Sequence, residues 1–170
     1  MTLATWITVS RLLAVPVLLY GLQEEAQGPT VRWICLGIFL VAALTDWLDG
    51  YVARRFDQVT DLGKFLDPLV DKLLILCPLI ALVGLQEIPA WTVAVLLIRE
   101  LAIAGWRVQQ TQISGANLWG KAKTVSQIVA VALLIAPLSQ SFEVITFASY
   151  ALAVVLTLVS GLIYLWPADA

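Results

Sequence analysis

Apolar residues run along this chain in six long blocks separated by short polar connectors. The blocks cover residues 5–22, 31–55, 63–85, 90–108, 118–138 and 142–166. Each approaches or exceeds the roughly 20 residues that a helix needs to cross a bilayer. Unbroken apolar runs of this length suit helices, which satisfy their own backbone, rather than alternating barrel strands. The connectors carry helix breakers, among them Gly28-Pro29, Gln86 to Pro89 and Ser114-Gly115, and Pro167 closes the last block. The pattern predicts an all-α integral membrane protein with six transmembrane helices. No linker or repeat interrupts residues 1–170, so one membrane domain is expected.

Composition strengthens this picture. Hydrophobic residues make up 61% of the chain and charged ones 13%, and mean hydropathy is +0.91. A soluble domain is about half apolar and about one quarter charged, so a soluble helical bundle would lack polar residues for its surface. There is no histidine, which excludes histidine catalysis and histidine metal sites. Cys35 and Cys77 lie inside apolar blocks and read as small core residues rather than a disulfide. The N-terminus has no basic region of the kind that opens a cleavable signal.

Charge placement gives an orientation. With six helices the connectors alternate sides. Arg11, Arg54, Arg55, Lys64, Lys72, Arg107, Lys121 and Lys123 then fall toward one side, and Arg32 lies at the other with Glu24, Glu25, Glu87 and Glu143. The positive-inside rule makes the basic side cytoplasmic, with both termini there. Trp33, Trp91 and Trp166 stand near block ends, as interfacial anchors do.

Some charges fall inside or at the ends of the blocks: Asp46, Asp49, Asp67, Asp71, Lys72, Arg99 and Glu100. Such groups cost several kcal/mol when exposed to lipid, so they should face a bundle interior or a watery cavity. Arg99 and Glu100 read equally well as an ion pair that holds helices together. The aspartates are more ordered. Asp46, Asp49, Gly50 and Ala53 are spaced i, i+3, i+4 and i+7, on one helical face, and Asp67 and Asp71 are spaced i, i+4. A short connector makes these two helices antiparallel neighbours, so four carboxylates can meet near the cytoplasmic ends. Their repulsion calls for cations, and oxygen ligands suit a hard ion such as Mg²⁺ or Mn²⁺. Two ions sharing carboxylates would suit in-line displacement at phosphorus. Gly50, Ala53 and Gly63 leave room beside the carboxylates. Small residues also serve plain helix packing, but beside two acidic pairs a binding cleft is the better reading.

The run Asp46-x2-Asp49-Gly50-x2-Ala53-Arg54-x8-Gly63-x3-Asp67-x3-Asp71 resembles the full signature of the CDP-alcohol phosphotransferases, at all eight fixed positions. Size and six-helix plan fit as well, so the resemblance covers essentially the whole chain. It implies that Asp46, Asp49 and Asp67 hold one metal ion, and that Asp46, Asp67 and Asp71 hold a second. It further implies that Asp71 is the base for the acceptor hydroxyl. Contacts to CDP-diacylglycerol would come from Gly50, Ala53, Arg54, Thr60 and Gly63, with Thr8 on the first helix. Thr5 stands where the family usually has Asn. Family members attack the lipid-side phosphorus of a CDP-linked donor and release CMP. They are commonly homodimers, and this branch works in the bacterial plasma membrane.

The acceptor is read from the second half. Arg99, Arg107, Lys121 and Lys123 could bind an acceptor that carries a phosphate, although basic residues also simply flank cytoplasmic helix ends. Arg99-Glu100-Leu101, Arg107 and Gly120-Lys121-x-Lys123-Thr124 resemble the bacterial members that use glycerol 3-phosphate, as do Thr45 to Gly50 and Phe65 to Pro68. The expected reaction is CDP-diacylglycerol plus glycerol 3-phosphate giving phosphatidylglycerol phosphate and CMP, a step of phospholipid biosynthesis. A cardiolipin-synthase-type member using phosphatidylglycerol is the alternative, followed by inositol-phosphate or serine acceptors. A polytopic cation transporter is the alternative from another class. It would place its carboxylates near the bilayer midplane on broken helices, whereas these lie toward the cytoplasmic end. A catalytically inactive family member would not need the intact signature. Pro68 reads as tolerated in the opening turns of its helix.

Overall fold

The computed structural model describes the backbone of residues 3–23, 28–56, 61–109 and 118–165, and the side chains of residues 8–23, 28–45, 68–106 and 119–163. Six α-helices follow one another: α1 (Leu3–Gly21), α2 (Pro29–Phe56), α3 (Asp61–Gly84), α4 (Ala90–Gln109), α5 (Leu118–Ile135) and α6 (Glu143–Leu165). A 3₁₀ turn at Gln140–Phe142 leads into α6. No strand occurs among the described residues.

Two details depart from the apolar pattern. The fifth block suggests a helix to residue 138, but α5 ends at Ile135. Pro137 is the reason, because its ring disfavours the helical conformation at Ala136. Pro68 is not in the opening turn, since α3 begins at Asp61 and continues through both Pro68 and Pro78. Each interior proline deprives the carbonyl four residues earlier of its helical donor, here Lys64 and Leu74.

The chain forms two compact units, one of Met1–Glu87 with Ile135–Pro137, the other of Ile88–Leu134 with Leu138–Ala170. In the first, α1 packs on both α2 and α3. Its buried positions are Thr8, Arg11, Val15, Leu18 and Leu22, a three-four-three-four rhythm that puts them on one face. The α2 face answers with Cys35, Phe39 and Ala42, and α3 with Val70, Leu74, Leu79 and Leu82. Phe39 and Leu18 are fully enclosed, and losing such a ring typically costs about 3–5 kcal/mol. Gly21 sits where α1 meets α2, and a Cβ there would collide with the Cys35 sulfur unless that side chain shifted. Arg32, in the first turn of α2, pairs with Glu87 just beyond α3. That contact ties the start of one helix to the end of the other, as antiparallel neighbours require.

The end of α3 is closed by its backbone. The Glu87 amide donates to the Leu82 carbonyl at 3.0 Å and the Gln86 amide to the Val83 carbonyl at 2.9 Å. This is a Schellman arrangement, whose left-handed position glycine usually fills. Here Gln86 fills it, with φ of 59°.

In the second unit α4 packs against α6. Thr92, Leu96, Glu100 and Ile103 are buried on α4, Gln127, Val131 and Leu134 on α5, and Tyr150, Ala153, Thr157 and Ser160 on α6. The Thr92 hydroxyl donates to the Pro89 carbonyl at 2.7 Å. Its single proton is thereby used, so the Tyr150 hydroxyl donates to Thr92 Oγ1, 2.6 Å away.

Among the described residues, one helical stretch is long and apolar enough to cross a membrane by itself, Gln140–Ile163 with mean hydropathy 2.0. Only 17% of its apolar window is buried in the molecule. Shorter apolar stretches are Thr8–Gly21 and Pro29–Thr45. Arg11 interrupts α1, Arg99 and Glu100 interrupt α4, and Lys121 and Lys123 open α5.

Candidate active site

The acidic ladder lies on helical backbone throughout. Asp46, Asp49, Gly50, Ala53 and Arg54 fall within α2, and Gly63, Asp67 and Asp71 within α3. Helical register links the ladder to the packed part of α2. Buried positions 35, 39 and 42, continued in the same alternation of four and three, reach 46, 49 and 53. The face that packs against the bundle thus runs into the face that bears the first two aspartates. The side chains of Asp46, Asp49, Gly50, Ala53, Arg54, Gly63 and Asp67 lie outside the described residues, as does Thr60 altogether.

Asp71 is described, and its partner is a residue that the sequence reading left among the flanking basic groups. Arg11 Nη1 donates to Asp71 Oδ1 at 2.8 Å. The Arg11 side chain is only 2% exposed, whereas that of Asp71 is 44% exposed. The guanidinium is therefore a fixed part of the interior, and the carboxylate it steadies is partly exposed. A charge-assisted bond of this kind is among the stronger contacts a side chain can make. Thr8 lies one turn before Arg11 on α1 and is buried as well. The signal for Arg11 was present in the spacing, because Thr8, Arg11, Val15, Leu18 and Leu22 form one stripe. A cation in that stripe needs an acidic partner inside the bundle.

The basic residues of the second half do not share one environment. Arg99 Nη1 donates to Glu100 Oε1 at 2.9 Å, and Nη2 donates to Ser160 Oγ at 2.7 Å. Lys123 also donates to Glu100 Oε1. Ser160 in turn donates to the Thr157 carbonyl at 3.0 Å, and Gln127 Nε2 donates to Thr157 Oγ1 at 3.0 Å. Three helices are joined in this network: α4 through Arg99 and Glu100, α5 through Lys123 and Gln127, and α6 through Thr157 and Ser160. Arg99 Nε is buried without an acceptor among the described residues. Lys121 stands apart, exposed beside an apolar groove lined by Val125, Val129 and Leu152. The Arg107 side chain lies outside the described residues.

Arg99 and Lys123, from two helices, thus share one carboxylate, and burial keeps that cluster out of contact with lipid. Among the described residues no three metal-ligating side chains come together, and three of the four ladder aspartates lie outside that set.

The model of the family described as CDP-alcohol phosphatidyltransferase matches residues 1–159, across both units. Similar proteins bear names consistent with that match. The Bacillus subtilis CDP-diacylglycerol–glycerol-3-phosphate 3-phosphatidyltransferase is 40% identical over 172 residues, covering 91% of this chain and 89% of the relative. A Mycobacterium tuberculosis protein named as a probable phosphatidylglycerophosphate synthase is 37% identical, over 95% of this chain and 79% of its own. A rice cardiolipin synthase (CMP-forming) is 36% identical over 84% of this chain, which spans 47% of that protein. With its eight signature positions, its six helices and a family match running through most of its length, the chain belongs to the CDP-alcohol phosphatidyltransferase family.

Proposed function

We propose that this protein transfers the phosphatidyl group of CDP-diacylglycerol to glycerol 3-phosphate, giving phosphatidylglycerol phosphate and CMP. The observation that carries the reading is the ladder Asp46, Asp49, Asp67 and Asp71 on α2 and α3, with the partly exposed Asp71 steadied by the buried Arg11. The names of the bacterial relatives support the choice of donor and acceptor. The basic side chains gathered on α4 and α5, Arg99 and Lys123 among them, support an acceptor that carries a phosphate.

In this reaction a hydroxyl oxygen of the acceptor bonds to the lipid-side phosphorus, and the bond from that phosphorus to the CMP oxygen breaks. The hydroxyl proton goes to Asp71, whose carboxylate must come within hydrogen-bond reach of it. The Arg11 bond holds one carboxylate oxygen and so limits how far Asp71 can swing. Gly50, Ala53, Arg54, Thr60, Gly63 and Thr8 are the proposed donor contacts, and Arg99, Arg107, Lys121 and Lys123 the proposed acceptor contacts. A divalent ion, Mg²⁺ or Mn²⁺, fits the donor set, because Asp46, Asp49, Asp67 and Asp71 offer only oxygen atoms and Asp71 is accessible. When bound, it would neutralise the diphosphate and the departing CMP.

The setting is a membrane, with the aspartates and both termini on the cytoplasmic side. The outward apolar surface of α6 supports the membrane, and the uneven distribution of Lys and Arg supports the sidedness. The test is CMP release by purified protein given CDP-diacylglycerol, Mg²⁺ and one acceptor at a time. Release with glycerol 3-phosphate is expected. Release with phosphatidylglycerol alone would replace this reading by the cardiolipin-synthase type, and no release with any alcohol would end the enzymatic reading.

A further inference from the structure

Within the second unit the close helix packing is that of α4 on α6. α5 is tied in by longer reach, with Lys123 bonded to Glu100 of α4 and Gln127 to Thr157 of α6. Both ties leave from one side of α5. Lys121, Val125 and Val129, each four residues on, share the opposite side. There a groove of about 550 Å³ opens between α5 and α6, with Leu152 on its α6 wall. Its valines and leucine are exposed. The two hydroxyls that line it, Ser126 and Ser149, spend their protons on their own helices, on the Lys123 and Thr146 carbonyls at 2.8 Å each. Below Lys121 the groove therefore offers no spare side-chain proton to a polar guest. Ser149 and Leu152 lie within the stretch of α6 that is apolar enough to cross a membrane alone. Lys121 is exposed in the opening turn of α5, as is Trp119. An indole and an ammonium at a helix end suit the headgroup depth of a bilayer.

We infer that this groove binds an anionic diacyl phospholipid of the bilayer, with one acyl chain along α5 and the phosphate at Lys121. From Lys121 to Val129 the wall is about 12 Å long at the helical rise, and an extended aliphatic chain fits along it. Lipid tails are as apolar as the groove, so the chain alone gives no preference for this place over the surrounding bilayer. The preference comes from the head, because a lysine near the bilayer surface favours an anionic phospholipid over a zwitterionic one. The chain fills the space that the long ties of α5 leave beside α6. The inference rests on the membrane setting proposed above and not on the reaction. Lys121 also stands among the proposed acceptor contacts, so at this one side chain a lipid phosphate and an acceptor phosphate are alternatives.

The probe is dioleoyl phosphatidic acid, which carries a phosphate but no alcohol hydroxyl and so cannot act as acceptor. It is titrated into delipidated protein in detergent, with neither donor nor acceptor present, and bound lipid is counted by native mass spectrometry. Dioleoyl phosphatidylcholine is the zwitterionic control. At least one phosphatidic acid per chain should bind saturably, with phosphatidylcholine weaker by about 5-fold or more. Lys121→Gln should weaken phosphatidic acid by about 5-fold, the share of one basic group near a bilayer surface. Val129→Trp keeps every charge and fills the groove, so one saturably bound lipid should be lost. Each variant stands in for the other if one does not fold. Equal binding of the two lipids, or unchanged phosphatidic acid binding in the variants that fold, would overturn the inference. Initial rates of CMP release separate the groove from the donor site. Val129→Trp should leave the KM for CDP-diacylglycerol within about 2-fold, and a KM that rises as the lipid is lost would give the groove to the donor's own chain and overturn a separate site. The lipid counts decide the inference even if no alcohol releases CMP. Protein that stays dispersed without detergent would remove the membrane setting, and the inference with it.

Discussion

The two units place buried charge in opposite ways. In the first, a deeply enclosed arginine steadies an aspartate that stays 44% exposed. The cation is scaffold, and the carboxylate is the proposed working end. In the second, an enclosed glutamate steadies two cations. There the enclosed carboxylate gathers cations from two helices. A charge that is costly to bury is retained when it orients another charge. Its sign is opposite to that of the group it presents, and hence equal to that of the ligand the group would attract. On the proposed function, the ladder of the first unit would by this logic attract a cation.

The sharpest way to break the comparison is to disable one working end. Asp71→Asn should reduce CMP release by at least about 100-fold, since a positioned base contributes about 10²–10⁴-fold, while binding of CDP-diacylglycerol persists. Undiminished turnover would remove Asp71 from the role of base. Of comparable size is removal of the proposed ion. Chelation should abolish CMP release and added Mg²⁺ should restore it, and activity that survives exhaustive chelation would contradict the cation half of the contrast. Arg11→Lys tests the scaffold. It keeps the charge and loses the fork, so turnover should fall by about 10–100-fold, the usual penalty for a supporting partner. A normal rate would mean that the contact with Asp71 is merely structural. The smallest effect lies away from both charge clusters. Gln86→Gly should raise stability by up to about 1 kcal/mol, because glycine adopts the left-handed conformation without strain. Thermal unfolding in detergent would show it, and destabilisation would mean that the Gln86 side chain matters more than its φ of 59°.

Much of this arrangement could be read from residue order. Helices are periodic, so the spacing of Asp46, Asp49, Asp67 and Asp71 predicts two ridges, and all four do fall on helices, while the apolar blocks were enough to place six helices. Contacts distant in sequence were not legible. Lys123 and Glu100 are 23 residues apart, and Arg11 and Asp71 are 60 apart. No periodicity within one helix states which residue of another it will meet. Arg11 was half legible, since its stripe shows that it faces inward but not toward what. Pro137 and Pro68 carry a different lesson. Hydropathy does not register a missing N–H, so the end of α5 and the passage of α3 through a proline depended on backbone chemistry alone.

The lopsided burial of α6 has a consequence for how this protein can drift over evolutionary time. Val144, Ile145, Leu152, Val155 and Leu162 are more than half exposed on an apolar helix. Their requirement is only to be greasy, and one aliphatic residue should replace another there with little effect. Tyr150, Ala153, Thr157, Ser160 and Gly161 form the opposite seam, where each position meets a particular atom or none at all. One helix therefore carries two substitution clocks, a fast one on its outer surface and a slow one along its seam. Saturation mutagenesis of α6 should separate them at a glance, with tolerance recurring every three to four residues.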